Sequence, residues 1–352
     1  MRVPLIAATV VAALIAGGPA GAGTFKVLVG EQTKPPAGTP EGTTLNAFFP
    51  RSLTVAAGDK VVFQSRGFHT VAYLAGGKPA PLILPDPAKS LYKDIAGSDG
   101  NPFFFDGMPK FVYNGQAFAP YGGNIVSGKP LSSGVIVPGR NGKPVTATFT
   151  LAKPGAYQFL CTVHPGMKAK IDVKPAGAEV PSQAQVDATA KQQTDAAWAK
   201  AKPLAATKVA ANTVLAGVGS TTTILGFVPK QLKVKAGTAV TFIVKSPSEV
   251  HNIAFGPPKY LEKLSKQTDL FPMGPNAPNQ ATPFYIYGSE PRGAYTYDGA
   301  NHGNGLLMTP LGDGRPGGLP DVARVTFTKP GTFKYICFLH GPDMKGEIVV
   351  TQ

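Results

Sequence analysis

The sequence predicts an all-β chain of two tandem antiparallel β-sandwiches, joined by a linker with one helix. Three observations predict this fold class. The chain has 352 residues, which is enough for two domains that each bury a core. Short apolar runs alternate with polar residues between Gly and Pro turns, and one unit occurs twice. The predicted boundaries are a signal peptide over 1–22, a first domain over 23–178, a linker over 179–211 and a second domain over 212–352.

The repeat is the strongest of these signals. Residues 49–58 align with 228–237 at an offset of 179, and residues 153–161 align with 329–337 at an offset of 176. Self-similarity at this scale indicates that one structural unit was duplicated.

Alternating apolar residues define the predicted strands within each copy. The clearest runs are 60–64 in the first copy and 239–244 in the second, and a period of two is typical of a half-buried strand. Residues 168–174 and 345–351 are the expected closing strands. Short strands separated by turns favour an antiparallel sandwich.

The linker is predicted to hold a helix over residues 181–202, with Ser182 as its N-cap and an end before Pro203. An apolar stripe on this helix is expected to pack against a domain. Its members are Val186, Ala190, Ala197, Trp198 and Ala201.

Each copy also contains a long segment rich in Gly, Pro, Asn and aromatic residues, over about 75–143 and 257–319. Loops of this length are usually functional or disordered, and the aromatic residues favour ordered packing over one end of the sandwich. The run Phe103–Phe105 is expected to form a local core rather than a docking surface.

The amino terminus indicates export. Arg2 precedes an apolar run over residues 3–15, and small residues lead to Ala22, where we expect signal cleavage. The run is shorter than the roughly 18 residues of a spanning helix, so no membrane span is expected after cleavage. The predicted location is the periplasm, the cell envelope or the extracellular space.

The net charge of +14 is spread as single charges without a basic cluster. This pattern argues against nucleic-acid binding and favours solubility and attraction to acidic partners.

Cysteine, histidine and methionine recur at equivalent positions of the two copies. The first set is His69, Cys161, His164 and Met167, and the second is His251, Cys337, His340 and Met344. An interdomain disulfide is the alternative for two cysteines of an exported chain. The duplicated spacing, with a histidine three residues after each cysteine, instead favours two metal sites.

Copper suits this donor set. Thiolate and thioether are soft ligands that bind Cu(I), imidazole binds Cu(II), and two histidines and a cysteine with a weak axial methionine form a blue-copper site. We therefore expect two type 1 copper ions, one per domain, and single-electron transfer.

The pattern resembles that of the cupredoxins, the family of plastocyanin, amicyanin and pseudoazurin. The resemblance rests on an early His, a Gly-x-aromatic-x-aromatic-x-Cys strand and a C-x-x-H loop followed by Met, all present twice. It implies Greek-key sandwiches and electron exchange with redox protein partners, without catalysis. The ligand loop of the first copy is the one most similar to that of amicyanin.

The two copies depart from the family in different ways. Met344 lies four residues after His340, which makes the path to this ligand unusual, and the family's bracing Asn is kept as Asn252 but replaced by Thr70 in the first copy. We therefore expect unequal midpoint potentials.

Two other function classes were weighed. A copper oxidoreductase needs at least three further histidines, whereas only His302 is left over, and a solvent-facing loop position is expected for it rather than an extra metal site. A copper storage, delivery or surface-binding role stays open.

Overall fold

The computed structural model describes residues 22–138, 142–266, 280–315 and 319–352. All but the last residue of the predicted signal peptide lies outside the described residues. No helix in the described part of the chain has the length and apolar character needed to cross a membrane.

The first half of the chain forms a β-sandwich with small additions. Its strands are β1 (Thr24–Val29), β2 (Thr43–Leu45), β3 (Phe48–Phe49), β4 (Ser52–Ala56), β5 (Lys60–Ser65), β6 (His69–Tyr73), β7 (Ile83–Pro85), β8 (Phe111–Tyr113), β9 (Pro120–Tyr121), β10 (Ile125–Val126), β11 (Leu131–Ile136), β12 (Val145–Leu151), β13 (Gly155–Leu160) and β14 (Lys168–Lys174). One sheet has the order β10-β12-β5-β1-β3 and the facing sheet the order β4-β14-β13-β6-β11-β9. The short helix α1 (Gly115–Phe118) lies in the inserted segment.

The second half repeats the architecture. Its strands are β15 (Thr213–Gly219), β16 (Thr222–Val228), β17 (Gln231–Lys235), β18 (Ala239–Lys245), β19 (Val250–His251), β20 (Ala254–Phe255), β21 (Ala294–Tyr297), β22 (Leu307–Met308), β23 (Gly312–Asp313), β24 (Val322–Phe327), β25 (Gly331–Cys337) and β26 (Gly341–Thr351). The sheets have the orders β2-β16-β15-β18-β24-β21 and β17-β26-β25-β20-β22. The all-β fold class with two sandwiches is therefore confirmed.

The sandwiches contain parallel strand pairs beside the antiparallel pairs that the sequence predicts. β1 pairs in parallel with β5, and β4 with β14, while the second half repeats this with β15 beside β18 and β17 beside β26. Alternating hydrophobicity reports which face of a strand is buried and not the direction of its partner, so the sequence pattern could not detect the parallel pairs.

Each sandwich has its own core of interdigitating aromatic and branched side chains. Phe63 and Phe159 lie at the centre of the first core, and Phe242, Phe255 and Tyr335 at the centre of the second. The cysteines Cys161 and Cys337 lie at the edges of these cores, which fixes them to rigid strands.

One strand of the first half belongs to a sheet of the second. β2 pairs antiparallel with β16, with Thr44 opposite Thr223. This pairing, called here the strand exchange although only β2 changes sheet, brings the loop after β2 against the second sandwich. There Asn46 donates its backbone N–H to the carbonyl of Thr221 over 2.8 Å. A strand of the predicted first domain, β2, therefore lies in a sheet of the predicted second domain.

The linker contains two helices, α2 (Gln183–Trp198) and α3 (Ala201–Ala205). Ser182 caps α2 through a capping box with Gln185, as the sequence predicts. The main helix, α2, ends at Trp198 and not just before Pro203, and Pro203 lies in the first turn of the short helix α3, where its missing N–H costs no helical hydrogen bond. The predicted apolar stripe is buried, and Trp198 packs with Leu45 and Phe49.

The two inserted segments pack against each other. Phe103 and Phe105 of the first insert form a buried cluster with Phe284 of the second insert and Phe338 beside Cys337. The second insert also contains α4 (Pro258–Lys266) and α5 (Pro283–Tyr287). The prediction that the phenylalanine run forms a local core is confirmed.

Candidate metal centres

The first centre is built on two adjacent strands. His69 is the first residue of β6, Cys161 follows β13, and His164 lies in the loop that leads to β14; β6 and β13 pair antiparallel. Nδ1 of His69 lies 3.1 Å from Nδ1 of His164, and Sγ of Cys161 lies 4.0 and 3.5 Å from these two atoms. The structure thus brings His69 beside Cys161 and His164, from which it is distant in the sequence.

This triangle has the size of a metal site. A point equidistant from three atoms separated by 3.1, 3.5 and 4.0 Å, the circumcentre of that triangle, lies about 2.1 Å from each. Metal ions bind imidazole nitrogen and thiolate sulfur at about 2.0 to 2.3 Å. The donor atoms therefore already have a spacing that one ion fits.

The loop of the first centre is closed by backbone hydrogen bonds. Cys161 donates its N–H to the carbonyl of Met167 over 3.0 Å, and Met167 donates to the carbonyl of His164 over 3.2 Å. The Met167 side chain is buried in the same core cluster as Cys161. Its role as axial ligand remains a prediction.

The second centre repeats the arrangement. His251 ends β19, Cys337 ends β25 and His340 lies in the following turn. Sγ of Cys337 lies 3.3 Å from Nδ1 of His340, and one ligand atom from each of the three residues lies within 4.8 Å of the others. Met344 is buried in the adjoining core, and its ligand role likewise remains a prediction.

His251 gives the fit test for the second centre. Its ring is fully buried, yet neither ring nitrogen has a hydrogen-bond partner among the residues that the structure describes. An unpaired buried polar atom costs roughly 1 to 3 kcal/mol. A metal bound at this position would satisfy one of these nitrogens, so the residues present fit such an ion.

Equivalent glycines close the outer side of the two buried histidines. A Cβ on Gly30 would lie 2.4 Å from Nε2 of His69, and one on Gly217 would lie 2.2 Å from Nε2 of His251. Both glycines have positive φ, of 71° and 66°. Sequence reasoning missed them, although each lies near the end of the first strand of its copy. The backbone of each glycine lies close to Nε2 of its histidine, so Nδ1 is the ring nitrogen left to bind a metal.

The residue after each of these histidines braces the ligand loop. Oδ1 of Asn252 accepts the N–H of Phe338 over 2.8 Å, and Oγ1 of Thr70 accepts the N–H of Thr162 over 2.7 Å. Thr70 thus fulfils the bracing role that the family resemblance assigns to an asparagine. The two bracing residues nevertheless present different groups to the cysteine sulfur.

The contacts to sulfur distinguish the centres. Thr70 directs its N–H at 3.3 Å and its hydroxyl at 3.7 Å toward Sγ of Cys161. In the second centre Oδ1 of Asn252 lies 3.6 Å from Sγ of Cys337. Because Oδ1 already accepts the Phe338 N–H, this orientation of the amide is fixed.

The neighbouring histidines favour the thiolate form of both cysteines. Burial alone would raise the pKa of Cys161, but the charge of His164 and the hydrogen bonds of His164 and His69 hold that pKa well below its ordinary value. The charge of His340 likewise lowers the pKa of Cys337, against burial. The thiolate is the form that binds metals. Both residues are free, so the disulfide alternative was wrong.

Glu249 was not singled out from the sequence, and it lies between the two centres. Its Oε1 is 3.2 Å from Nε2 of His164, and its Oε2 is 3.7 Å from Nε2 of His340. Although burial would raise the pKa of Glu249, these two histidines lower it well below its ordinary value. A lone glutamate in a loop carries no sequence signal for such a role.

The same charges raise the pKa values of His164 and His340. Burial would lower the pKa of His164, but the charges of Glu249 and of the Cys161 thiolate raise it to about 10. The Cys337 thiolate and Glu249 likewise raise the pKa of His340 to about 10, again against burial. Both rings therefore keep a proton that Nε2 can donate to Glu249.

His302 does not face solvent, and that expectation was wrong. Its side chain is 17% exposed, its Nε2 lies 2.7 Å from Oε1 of Glu290, and its ring packs on Phe103. The insert of the first half covers it, which the sequence of the second half alone could not reveal. Among the described residues, it joins neither metal-ligand group.

Comparisons with known proteins find similarity to this chain among solved structures. No protein-family model and no curated protein matches it. Among solved structures, it is similar to a purple cupredoxin from Nitrosopumilus maritimus, with 17% identity over 40% of this chain and 98% of that one, at a TM-score of 0.22. It is also similar to the Cu(I) form of an amicyanin mutant, with 19% identity over 42% of this chain and 89% of that one, at a TM-score of 0.22.

Proposed function

We propose that this protein binds two type 1 copper ions and transfers single electrons between redox partners. One observation carries the proposal: the same group of two imidazoles and a thiolate occurs twice, each time beside a buried methionine at the end of a rigid sandwich. Blue-copper sites use this donor set.

The donor set favours copper over zinc. Structural zinc sites take four nitrogen, thiolate or carboxylate ligands in a tetrahedron. Here His69, Cys161 and His164 form a three-membered group with Met167 nearby, and thioether sulfur is a soft ligand that suits Cu(I). The second group offers His251, Cys337, His340 and Met344. When bound there, copper would supply a one-electron redox change.

The protein's own residues would keep the ligand geometry constant during that change. Hydrogen bonds from Thr162 and Phe338 to the bracing side chains fix the two loops, and the core excludes water from the sulfur atoms. Preorganised ligands move little when the metal charge changes, which favours fast electron transfer.

Location and partners are part of the proposal. The predicted signal peptide supports export to the periplasm, the envelope or the extracellular space. The net charge of +14 supports docking of acidic redox proteins by electrostatic attraction. We propose a carrier rather than an oxidoreductase enzyme, since each group offers a complete set of protein ligands.

A redox-cycling experiment separates a carrier from a storage or delivery protein. The copper-loaded protein is reduced and reoxidised repeatedly with one-electron mediators beside a Cu(I) chelator that absorbs at its own wavelength. A carrier keeps its copper and recovers its colour in every cycle. Transfer of copper to the chelator upon reduction would favour storage or delivery instead.

A further inference from the structure

The two proposed centres face each other across the interface between the sandwiches. The ligand histidines closest to this interface, His164 and His340, have side chains that are only 12% and 18% exposed. In a carrier with one centre, a partly exposed imidazole edge is the natural exit for electrons. Here both of these edges point at the same carboxylate.

That carboxylate is suited to two donors at once. Glu249 is 11% exposed and offers one oxygen to each ring, at 3.2 Å to His164 and 3.7 Å to His340. A carboxylate accepts hydrogen bonds at both oxygens, whereas an amide of the same shape accepts at one atom and donates at the other. Only an acid at this position can accept from both rings.

A residue from the other half of the chain holds Glu249 in place. Asn46, which follows the exchanged strand β2, donates its side-chain N–H to Oε1 of Glu249 over 2.7 Å. The backbone N–H of Asn46 is itself fixed to Thr221. The bridge is therefore tied to the strand exchange that joins the sandwiches.

We propose that electrons pass within one molecule between the two centres, through the path His164–Glu249–His340, in which one carboxylate contacts both rings. This inference rests on the proposed copper function. In the transfer, one centre loses one electron and is oxidised, and the other gains it and is reduced. No bond forms or breaks, and Glu249 keeps its contacts with both rings.

The alternative for Glu249 is a purely structural lock between the halves. A lock would stabilise the interface without affecting how fast electrons move between the centres. The experiment therefore has to measure a rate in molecules whose two centres are both intact.

The test uses the full copper-loaded chain. A pulse of a photochemically generated one-electron reductant, below one electron per molecule, is followed by visible absorption and freeze-quenched electron paramagnetic resonance. Spectra of the single-centre variants Cys161→Ser and Cys337→Ser calibrate the oxidised fraction of each centre. We expect a first-order phase, independent of protein concentration, in which the electron redistributes, and its loss in both single-centre variants.

Substitution of the bridge identifies the path. Glu249→Leu removes both acceptors and should slow the first-order phase on the order of 10-fold or more, while Glu249→Gln keeps one acceptor and should slow it less. The matched control is Glu41→Gln, an exposed carboxylate that also bridges the halves through Lys230, and it should leave the rate unchanged.

The outcomes separate this inference from the proposed function. A chain without thiolate–copper absorption would defeat the proposed function. Two intact absorption bands without a concentration-independent phase would defeat only the intramolecular path. An unchanged rate in Glu249→Leu with both bands intact would show that Glu249 is a structural lock. If that variant loses a band, the comparison of Glu249→Gln with Glu41→Gln decides in the same way.

Discussion

Nδ1 of His69 and Nδ1 of His164 lie 3.1 Å apart, although 94 residues separate these histidines in the chain. Together with Sγ of Cys161 they form a triangle that one metal ion fits. The second half of the chain repeats the group with His251, Cys337 and His340.

The two centres should have unequal midpoint potentials, with the first centre higher. Thr70 donates its backbone N–H to Sγ of Cys161, and such a donor stabilises the electron-rich reduced centre, whereas Asn252 turns an oxygen toward Sγ of Cys337. A redox titration, with Cys161→Ser and Cys337→Ser to assign each band, measures both values. Equal potentials, or a higher potential at the second centre, would contradict this account.

Thr70→Val should destabilise the protein by about 1 to 3 kcal/mol, because the buried N–H of Thr162 loses its acceptor. Chemical denaturation of the copper-loaded protein measures the free energy of unfolding. Thr148→Val, the same substitution at an exposed strand position, is the control and should change little. A loss no larger than that of the control would show that Thr70 does not brace the loop.

Gly30→Ala and Gly217→Ala should weaken copper binding at the first and second centre respectively, because the new Cβ would collide with the buried histidine. The matched control is Gly58→Ala. Gly58 also has positive φ, of 101°, but a Cβ there meets no atom within 4 Å. All three variants share the strain of an alanine at positive φ, so only the first two should lose metal affinity. Competition with a copper chelator measures it, and equal affinities in all three variants would refute the cradle role.

Glu249→Gln should raise the midpoint potentials of both centres. An oxidised copper with one thiolate carries a net positive charge, and the reduced form is neutral, so the nearby carboxylate favours the oxidised form. Its loss favours reduction. Redox titration beside the control Glu41→Gln tests this. A shift of only one midpoint potential would show that the charge of Glu249 acts on that centre alone.

The pair of His302 and Glu290 should make stability depend on pH. The hydrogen bond with Glu290 raises the pKa of His302 above its ordinary value of 6.5, even though burial opposes it. A raised folded-state pKa means that the contribution is complete below about pH 6.5 and is lost as pH rises through the folded value. The loss should amount to about 1 kcal/mol or less.

Denaturation between pH 6 and pH 9 measures this dependence, and Glu290→Gln should remove it. Persistence of the same slope in Glu290→Gln would assign the pH dependence to other groups.

Much of the architecture was predictable because the repeat and the strand periodicity are local signals. The six histidine and cysteine positions of the two groups were predictable because C-x-x-H recurs beside an earlier histidine in each copy. The parallel strand pairs, the exchange of β2 and the bridging position of Glu249 depend on contacts between distant segments, which single-residue patterns do not encode. His302 was misjudged for the same reason, since its neighbours Phe103 and Glu290 come from different inserts.

The copper content and visible spectrum of the chain loaded with Cu(II) test the central claim most directly. We predict about two copper ions per chain and an intense thiolate–copper band that bleaches upon reduction. Cys161→Ser and Cys337→Ser should each remove about one copper and the band of one centre, whereas His302→Gln, outside both groups, should keep both. A colourless chain after loading, or an unchanged band in either cysteine variant, would contradict the account.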